Sequence, residues 1–244
     1  METTTPQHLN EFRGNGYAVV PDVLTPAQVA SWRALIARYV DQQPPENGRT
    51  GPYFLWPVLA QDPELRALYG DSDVADIVRP LLRKDLALAE PEVAQLALTL
   101  PPHPRHPRAP HIDGLTPTEE DGRPGTFTAL AGLLLTDQRD RDRGKLWVWP
   151  GTHLRTGVWL REHGADALAT AVPYPPVELG EPVQVTGAAG SLVLVHYLLA
   201  HNIGGHFGTA RDERRETVYF RLRAGGHRGR WREAVTDPLT EFAR

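Results

Sequence analysis

The triplet His111-Ile112-Asp113 is the part of the sequence whose residue types and spacing are best suited to chemistry. On an extended chain, residues two positions apart project to the same side, so the His111 imidazole and the Asp113 carboxylate can converge on one point. Two imidazoles and one carboxylate form a ligand set for iron(II) that leaves other coordination positions open. The triplet therefore predicts two of the three protein ligands of such a site.

The third ligand has to come from a distant part of the chain, and His201 is the best candidate. It lies just after the apolar run at residues 191–197, where a barrel strand would deliver a side chain to the barrel mouth. His196 is the rival candidate, but it falls inside that run, where a histidine is more often part of the core. Taken alone, a His-x-Asp triplet is more often a pair of surface turn residues than a metal site, so the prediction depends on further signals.

Arg215 provides one such signal, because it stands at the start of another apolar run that continues to Phe220. A guanidinium that enters the interior of a barrel needs an anionic partner, since a buried unpaired charge is costly. A dicarboxylate held by two parallel hydrogen bonds would supply that partner. We therefore expect Arg215 to bind an anionic small molecule.

The elements that must position these residues begin with helices. After a short apolar run at residues 17–20, Thr25-Pro26 combines a helix N-cap with proline at the first helical position and opens an amphipathic helix to about Val40. Asp62-Pro63 repeats this start signal, and a further helix opens near Ser72 and stops at Pro80. The first 90 residues are therefore predicted to form a helical layer.

From residue 93 the apolar pattern changes to the two-residue period of strands. In the segment 95–100 the leucines fall on one face, and Gln95, Ala97 and Thr99 on the other. Further strand-like runs occur at 126–135, 146–149, 183–185, 191–197 and 217–223, with one helical stretch at about 159–169. This order predicts an α+β, mainly β fold, in which an antiparallel barrel or jelly roll carries the N-terminal helices on one sheet.

The length of 244 residues favours one domain over two. We divide it into a helical layer at residues 1–90, a barrel core at 91–225 and a C-terminal tail at 226–244. The net charge is −4, with no block of like charge, which gives no reason to expect nucleic acid or an anionic membrane as a partner. The oligomeric state is left open.

Cysteine is absent, which excludes disulfides, thiolate metal sites and cysteine nucleophiles. Histidines and carboxylates must therefore carry any chemistry. The apolar runs are too short to span a bilayer, and residues 1–12 lack the apolar core of a signal peptide. We expect a soluble, cytoplasmic protein.

Several separate motifs together resemble the phytanoyl-CoA dioxygenase (PhyH) family of Fe(II)- and 2-oxoglutarate-dependent oxygenases. They are, in chain order, Gly16-Tyr17-Ala18-Val19-Val20-Pro21, His111-Ile112-Asp113-Gly114, Phe127-Thr128-Ala129-Leu130-Ala131-Gly132-Leu133, Gly144-Lys145-Leu146-Trp147-Val148-Trp149-Pro150-Gly151-Thr152-His153, Gly190-Ser191-Leu192-Val193-Leu194, Ala200-His201-Asn202 and Arg215. Their order and spacing agree with the family over most of the chain. The resemblance implies a double-stranded β-helix, which is a jelly-roll or cupin-like barrel.

By this resemblance, His111, Asp113 and His201 would be the catalytic metal ligands that bind Fe(II). Arg215 would bind the distal carboxylate of the cosubstrate 2-oxoglutarate. If Arg214 points into the barrel instead of Arg215, Arg214 would take that role. With O2 as the second cosubstrate, the expected reaction hydroxylates an unactivated C–H bond of a small-molecule metabolite and releases succinate and CO2. Halogenating relatives carry a small residue in place of the carboxylate, so Asp113 favours hydroxylation, desaturation or ring closure by comparison.

Other polar and aromatic residues are weaker candidates for the site. Gln95, Thr99 and Thr128 would each hydrogen-bond the cosubstrate or line the pocket. Of these, Gln95 and Thr128 are assigned to cofactor binding. A satisfied polar group inside a barrel explains these residues equally well. The aromatic cluster Tyr53, Phe54 and Trp56 would either cover the barrel mouth or pack in the core.

Two further classes of function fit the same residues. One is a barrel that holds zinc or nickel with the same three ligands, since imidazole binds all of these metals. The other is a metal-free binding module, for which replacement of His111 or Asp113 would leave ligand affinity intact. His103 and His106, in a proline-rich loop, are expected to face solvent or substrate.

Overall fold

The computed structural model describes residues 5–104, 109–113, 119–210 and 213–243. In these ranges the α-helices are α1 (Pro6–Asn15), α2 (Pro26–Gln42), α3 (Pro63–Gly70), α4 (Val74–Val78), α5 (Thr152–His163) and α6 (His227–Thr236). The strands are β1 (Tyr17–Val20), β2 (Gly51–Leu55), β3 (Ala94–Leu100), β4 (Ala129–Leu134), β5 (Leu146–Val148), β6 (Val183–Gln184), β7 (Leu192–His196), β8 (His201–Ile203) and β9 (Arg215–Leu222). Short 3₁₀ turns occur at Leu59–Gln61, Arg79–Leu81 and Ala165–Thr170.

The strands form two antiparallel sheets. The larger sheet has the order β1-β7-β4-β9-β3-β2, and the smaller has the order β6-β5-β8. Apolar side chains from both sheets share one buried cluster, in which Leu130, Val193 and Tyr219 of the large sheet meet Leu146 and Val148 of the small one. Two sheets that enclose a common core form a jelly roll, so the predicted α+β, mainly β architecture is confirmed.

The N-terminal helices cover the outer face of the large sheet. Trp32 and Leu35 of α2 are fully buried in a second core with Leu96 and Phe220 of the sheet, and the Trp32 and Phe220 rings lie 6.0 Å apart. Helix α2 starts where the sequence predicts, because the Thr25 hydroxyl accepts the backbone N–H of the third helical residue. The helical layer therefore stabilises the sheet from the side away from the barrel interior.

Strand β9 shows how the sheet separates the two cores. Val218 and Phe220 face the helices, whereas Tyr219 faces the barrel interior. Because successive strand residues point to opposite faces, Arg215 and Arg221 share the interior face with Tyr219. This alternation places two cations on the same side of the sheet as the cavity described below.

Residues 226–244, expected from the sequence to be a tail, instead contain helix α6 and pack into the domain. Trp231 and Val235, one helical turn apart, are buried in the core between the sheets, and Phe242 is buried in the core under the N-terminal helices. The only large apolar residues of α6 are these two, which is too few for a convincing helical pattern. Helix α5 also differs from expectation, since it begins at Thr152, directly after the left-handed Gly151.

None of the helices in the described part of the chain combines the length and the apolar character needed to cross a membrane.

Candidate metal centre

Three side chains from two distant parts of the chain meet at the cavity. His111, Asp113 and His201 each offer a ligand atom, and these atoms all lie within 4.8 Å of one another. The distance to Asp113 Oδ1 is 3.5 Å from His111 Nε2 and 3.7 Å from His201 Nε2. Within the described ranges this is the one such group of potential metal ligands. The predicted convergence of the triplet with His201 is therefore observed.

Backbone pairing fixes the two imidazoles beside each other. The His111 N–H donates to the His201 carbonyl at 3.0 Å, and the His201 N–H donates back at 3.3 Å. His201 also opens strand β8, where it pairs with Val148 of β5. The His201 Nδ1–H donates to the Leu199 carbonyl at 2.8 Å, so Nε2 is the nitrogen left to bind a metal.

The electrostatics of the group favour an ionised carboxylate. Burial alone would raise the pKa of Asp113, but the two imidazoles beside it and the charge of Arg221 hold it well below its usual range. Burial and the neighbouring His201 lower the pKa of His111. For His201, the carboxylate of Asp113 outweighs burial and raises the pKa. A divalent cation would replace the imidazole protons as the partner of this carboxylate.

Arg221 completes the charged environment of Asp113. Its Nη2 lies 3.5 Å from Asp113 Oδ2, on the carboxylate oxygen that does not face the imidazoles. The guanidinium also stacks 5.1 Å from the ring centre of Trp56 and 5.5 Å from that of Phe127. Sequence reasoning missed Arg221, although it lies six residues after Arg215 and the strand period puts both on one face.

The three side chains open into a cavity of about 650 Å³. Its walls combine apolar and aromatic side chains with a few polar groups, as ligand sites usually do. The apolar wall consists of Pro52, Phe54, Trp56, Leu130, Leu146, Ile203 and Tyr219, and the polar groups are Arg49, Thr50, Gln95, His103, Asn202 and Arg221. Of the aromatic cluster noted in the sequence, Phe54 and Trp56 thus line the cavity, whereas Tyr53 packs against the core under the helices.

The structure separates the two neighbouring arginines. Arg215 is 1% exposed; its Nε donates to Gln138 Oε1 at 3.1 Å and its Nη2 donates to the Tyr219 hydroxyl at 2.5 Å. Its Nη1 is buried and has no hydrogen-bond partner among the described residues. Arg214 instead donates to Glu216 at 2.7 Å. Of the two arginines, Arg215 is therefore the one that keeps a buried donor without a partner, although it is not among the residues that line the cavity.

Of the three polar residues suggested for the pocket, Gln95, Thr99 and Thr128, only Gln95 lines the cavity in the described structure. Thr99 is buried opposite Arg215 in the strand register, and its hydroxyl donates to the Gly144 carbonyl at 3.2 Å. Thr128, expected to bind the cofactor or line the pocket, is not among the cavity residues.

Thr128 is held instead in a buried hydrogen-bonded cluster away from the cavity. The Thr128 hydroxyl donates to Glu241 at 2.6 Å and accepts the Ala224 N–H at 2.8 Å. Glu241 also accepts a hydrogen bond from His227 at 2.8 Å. This buried cluster ties the C-terminal segment to the start of β4, and its partners lie too far along the chain to be predicted from the sequence.

The remaining histidines are mostly committed elsewhere. His196, the rival ligand, is buried and donates to the Pro238 carbonyl at 2.7 Å while accepting the Leu198 N–H. His153 is buried in the first turn of α5 and donates to the Arg13 carbonyl at 3.1 Å. His103 lines the cavity. His106 and the motif residue Gly114 lie outside the described residues.

The chain matches a known protein family over most of its length. The sequence profile of phytanoyl-CoA dioxygenase (PhyH) matches residues 12–215. The chain belongs to the phytanoyl-CoA dioxygenase family. The match includes all three potential metal ligands and ends at Arg215, so the resemblance drawn from the separate motifs is confirmed. No curated protein sequence matches the chain.

Solved structures of similar shape support the fold. The α-ketoglutarate-dependent carbocyclase SnoK from nogalamycin biosynthesis is 21% identical, with a TM-score of 0.63 over 89% of this chain and 83% of that one. HygX from Streptomyces hygroscopicus, solved with nickel and 2-oxoglutarate, is 20% identical, with a TM-score of 0.60 over 90% and 87%. The epimerase SnoN, in complex with Fe3+, α-ketoglutarate and nogalamycin RO, is 20% identical, with a TM-score of 0.60 over 89% and 82%. This PhyH-family chain shares their architecture.

Proposed function

We propose that this PhyH-family protein is an Fe(II)- and 2-oxoglutarate-dependent dioxygenase that hydroxylates an unactivated C–H bond of a small-molecule metabolite. The observation that carries the proposal is the meeting of His111, Asp113 and His201 in a cavity of the barrel, with their ligand atoms within 4.8 Å of one another. Arg215, with a buried unpaired donor, supplies the second requirement, a group that binds the cosubstrate.

The ligand set fits iron(II). Two neutral imidazoles and one ionised carboxylate suit iron and leave room for further ligands. The low pKa of Asp113 makes it anionic without a bound metal, and its Oδ1 faces both Nε2 atoms. The hydrogen bond from His201 to Leu199 fixes the ring so that Nε2 faces the metal position.

Arg215 offers a buried donor for one carboxylate of the dicarboxylate 2-oxoglutarate. Arg215 is held by Gln138 and Tyr219 through two of its nitrogens, and the unpaired Nη1 is the donor that a carboxylate would accept. A buried guanidinium with no anionic partner is unfavourable, so the bound cosubstrate would relieve that cost. Gln95, on the cavity wall, is placed to orient the same ligand.

When bound, iron(II) with 2-oxoglutarate and O2 supplies the oxidising chemistry, in which the keto acid becomes succinate and CO2 and the second oxygen atom enters the substrate. The protein contributes position and shelter. His111, Asp113 and His201, which line the cavity, would hold the metal there. Phe54, Trp56 and other apolar walls limit the water that reaches the reacting atoms.

The relatives of similar shape support a small molecule as the substrate. HygX has been solved with hygromycin B bound, and SnoN with nogalamycin RO. The cavity of about 650 Å³ has the size of a site for a compound of that kind. Because Asp113 occupies the carboxylate position, hydroxylation is proposed ahead of halogenation.

Release of succinate tests the proposal. Purified protein with Fe(II), 2-oxoglutarate and a panel of metabolites in air should release succinate, and at least one metabolite should raise the rate and gain an oxygen atom by mass spectrometry. Asp113→Ala should release at least about a hundredfold less succinate, since it removes a metal ligand. Asp166→Ala removes an exposed aspartate paired with Arg232 and serves as the matched control. Turnover by Asp113→Ala equal to that of this control would contradict the proposal.

A further inference from the structure

Arg221 is a cation of the cavity that the proposed reaction does not use. Its side chain is 22% exposed, so it is reachable from the cavity that it lines. Its Nε is buried and has no hydrogen-bond partner in the described part of the chain. Its only ion pair there is with Asp113, at 3.5 Å. This guanidinium therefore combines a fixed charge with an unused donor.

Once a metal ion is bound, Asp113 cannot fully neutralise the charge of Arg221. Asp113 is the only carboxylate among the described residues that line the cavity, whereas Arg49 and Arg221 are both cations. A divalent metal on His111, Asp113 and His201 would take up the aspartate charge. Because 2-oxoglutarate brings two negative charges and meets the metal and Arg215, the cavity keeps an excess of positive charge beside the metal.

Neighbouring arginines show the difference between a paired and an available guanidinium. Arg228 binds both oxygens of Glu92, at 2.9 and 3.0 Å. Arg223 pairs with Glu92 at 3.3 Å and with Glu119 at 3.4 Å. These two side chains need no further anion, whereas Arg221 does.

The position of Arg221 is rigid, which suits a recognition group. Trp56 and Phe127 stack on its guanidinium at 5.1 and 5.5 Å, and its backbone pairs with Leu130 in the middle of the large sheet. A guanidinium held in this way loses little conformational entropy when it binds a ligand. It is therefore pre-organised to accept an anion next to the metal centre.

We propose that Arg221 binds an anionic group of the small-molecule substrate, a carboxylate, phosphate or sulfate, and thereby selects negatively charged substrates. This inference rests on the proposed function. The carboxylates of 2-oxoglutarate are an alternative source of the same chemistry. The substrate is favoured because Arg215 provides for the distal carboxylate and the metal for the proximal end of the keto acid.

The test compares two probes of equal carbon number, 3-phenylpropane-1-sulfonate and 3-phenylpropan-1-ol. Sulfonate is a weak ligand for iron, so its binding reports on the guanidinium more than on the metal. Affinities are measured by calorimetry without oxygen, on protein loaded with Fe(II) and saturating 2-oxoglutarate. The wild type should bind the sulfonate at least about tenfold more tightly than it binds the alcohol.

Arg221→Met should remove this preference, to within about twofold, and leave the affinity for the alcohol unchanged. Arg221→Lys should restore part of it, because the charge returns without the planar fork. Arg228→Met is the matched control, since its guanidinium is already paired, and should keep the full preference. Affinity for 2-oxoglutarate should stay within about twofold in Arg221→Met.

Three results would overturn the inference. The first is the absence of a preference for the sulfonate in the wild type, whether both probes bind equally or neither binds. The second is a preference that survives in Arg221→Met. The third is a large loss of 2-oxoglutarate affinity in Arg221→Met, which would assign the group to the cosubstrate. Failure of the proposed function would look different, because the protein would then show no visible charge-transfer absorption with Fe(II) and 2-oxoglutarate, whatever the probes do.

Discussion

In the described part of the chain, two pairs of histidine rings pack against each other, and only one of these pairs also faces a carboxylate. The rings of His111 and His201 are 4.5 Å apart, and those of His153 and His196 are 4.9 Å apart. In the first pair both Nε2 atoms face the carboxylate of Asp113. In the second pair each Nε2–H donates to a backbone carbonyl. Proximity of imidazoles is therefore not sufficient for a metal site.

The pKa shifts separate His201 from the core pair. Burial lowers the pKa of His153 to about 4 and that of His196 well below its usual range, and no carboxylate opposes this effect. At His201 the carboxylate of Asp113 overcomes burial and raises the pKa. Burial in the core thus keeps His153 and His196 neutral, whereas the carboxylate of Asp113 favours a positive charge on His201.

A general rule follows for the interior of this barrel. A buried donor left without a partner makes a polar side chain a candidate for ligand binding, whereas one whose atoms are all satisfied by the fold is structural. An unpaired lone pair is not enough by itself, because the buried Nδ1 of His153 also has no partner in the described residues. Arg214 and Arg215 repeat the contrast, because only Arg215 keeps a buried donor without a partner in the described residues. The predictions below test this rule.

The largest effect on stability is expected from the core pair. His196→Ala should lower the free energy of unfolding by about 3–5 kcal/mol, since it leaves a cavity and removes the partners of Pro238 and Leu198. His201→Ala should cost the metal-free protein only about 1–2 kcal/mol. Urea unfolding of both variants measures the difference. A cost for His201→Ala that equals that of His196→Ala would contradict the division between the pairs.

Acid should destabilise the protein through the core pair. Because the pKa of His153 is about 4 in the folded chain and near 6.5 in the unfolded chain, only the unfolded state gains this proton between those values. Stability should therefore be unaffected by His153 above about pH 6.5 and should fall as the pH drops toward 4, by up to about 3 kcal/mol. His196 contributes in the same direction.

Urea midpoints of the metal-free protein between neutral pH and pH 4 measure this decline. His153→Leu should have a flatter pH profile, whereas the same change at the exposed His163, which bonds the Trp159 carbonyl, should keep the slope of the wild type. An unchanged slope in His153→Leu would show that other groups cause the acid sensitivity.

A smaller effect, confined to ligand binding, is expected from the two arginines. Arg215→Met should raise the Kd for 2-oxoglutarate about a hundredfold, which corresponds to about 3 kcal/mol, because it removes the charged partner of a carboxylate. Arg214→Met, whose guanidinium already pairs with Glu216, should change it less than about threefold. Calorimetric titration of the metal-loaded variants measures both values. Equal effects would contradict the assignment to Arg215, and a larger effect of Arg214→Met would assign the cosubstrate to Arg214.

Local patterns predicted much of the fold and the centre of the site. The alternation in residues 95–100 predicted strand β3 and its polar inner face, and Thr25-Pro26 predicted the start of α2, because both signals depend on near neighbours. The triplet at residues 111–113 also carries its geometry in its own spacing. The choice of His201 over His196 needed one further fact, the end of the apolar strand.

Other features depended on contacts that no local pattern contains. Strand β8 has only three residues and is formed by pairing with β5 and by the bridge to His111. The strand pattern predicts Thr128 as a pocket residue, whereas its hydroxyl donates to Glu241, far along the chain. The few apolar side chains of α6 give no helical pattern, although Trp231 and Val235 are buried in the core. Long-range partners decided each of these cases.

The most direct test of the central claim is an anaerobic titration of the protein with Fe(II) in the presence of 2-oxoglutarate. A visible charge-transfer absorption requires the keto acid to chelate ferrous iron, and zinc gives none. The account predicts that this absorption appears and saturates at one iron per chain, is absent in His201→Ala and Asp113→Ala, and persists in the surface variant His163→Ala. Absence of the absorption in the wild type, or its full retention in His201→Ala, would contradict the assignment of the metal centre.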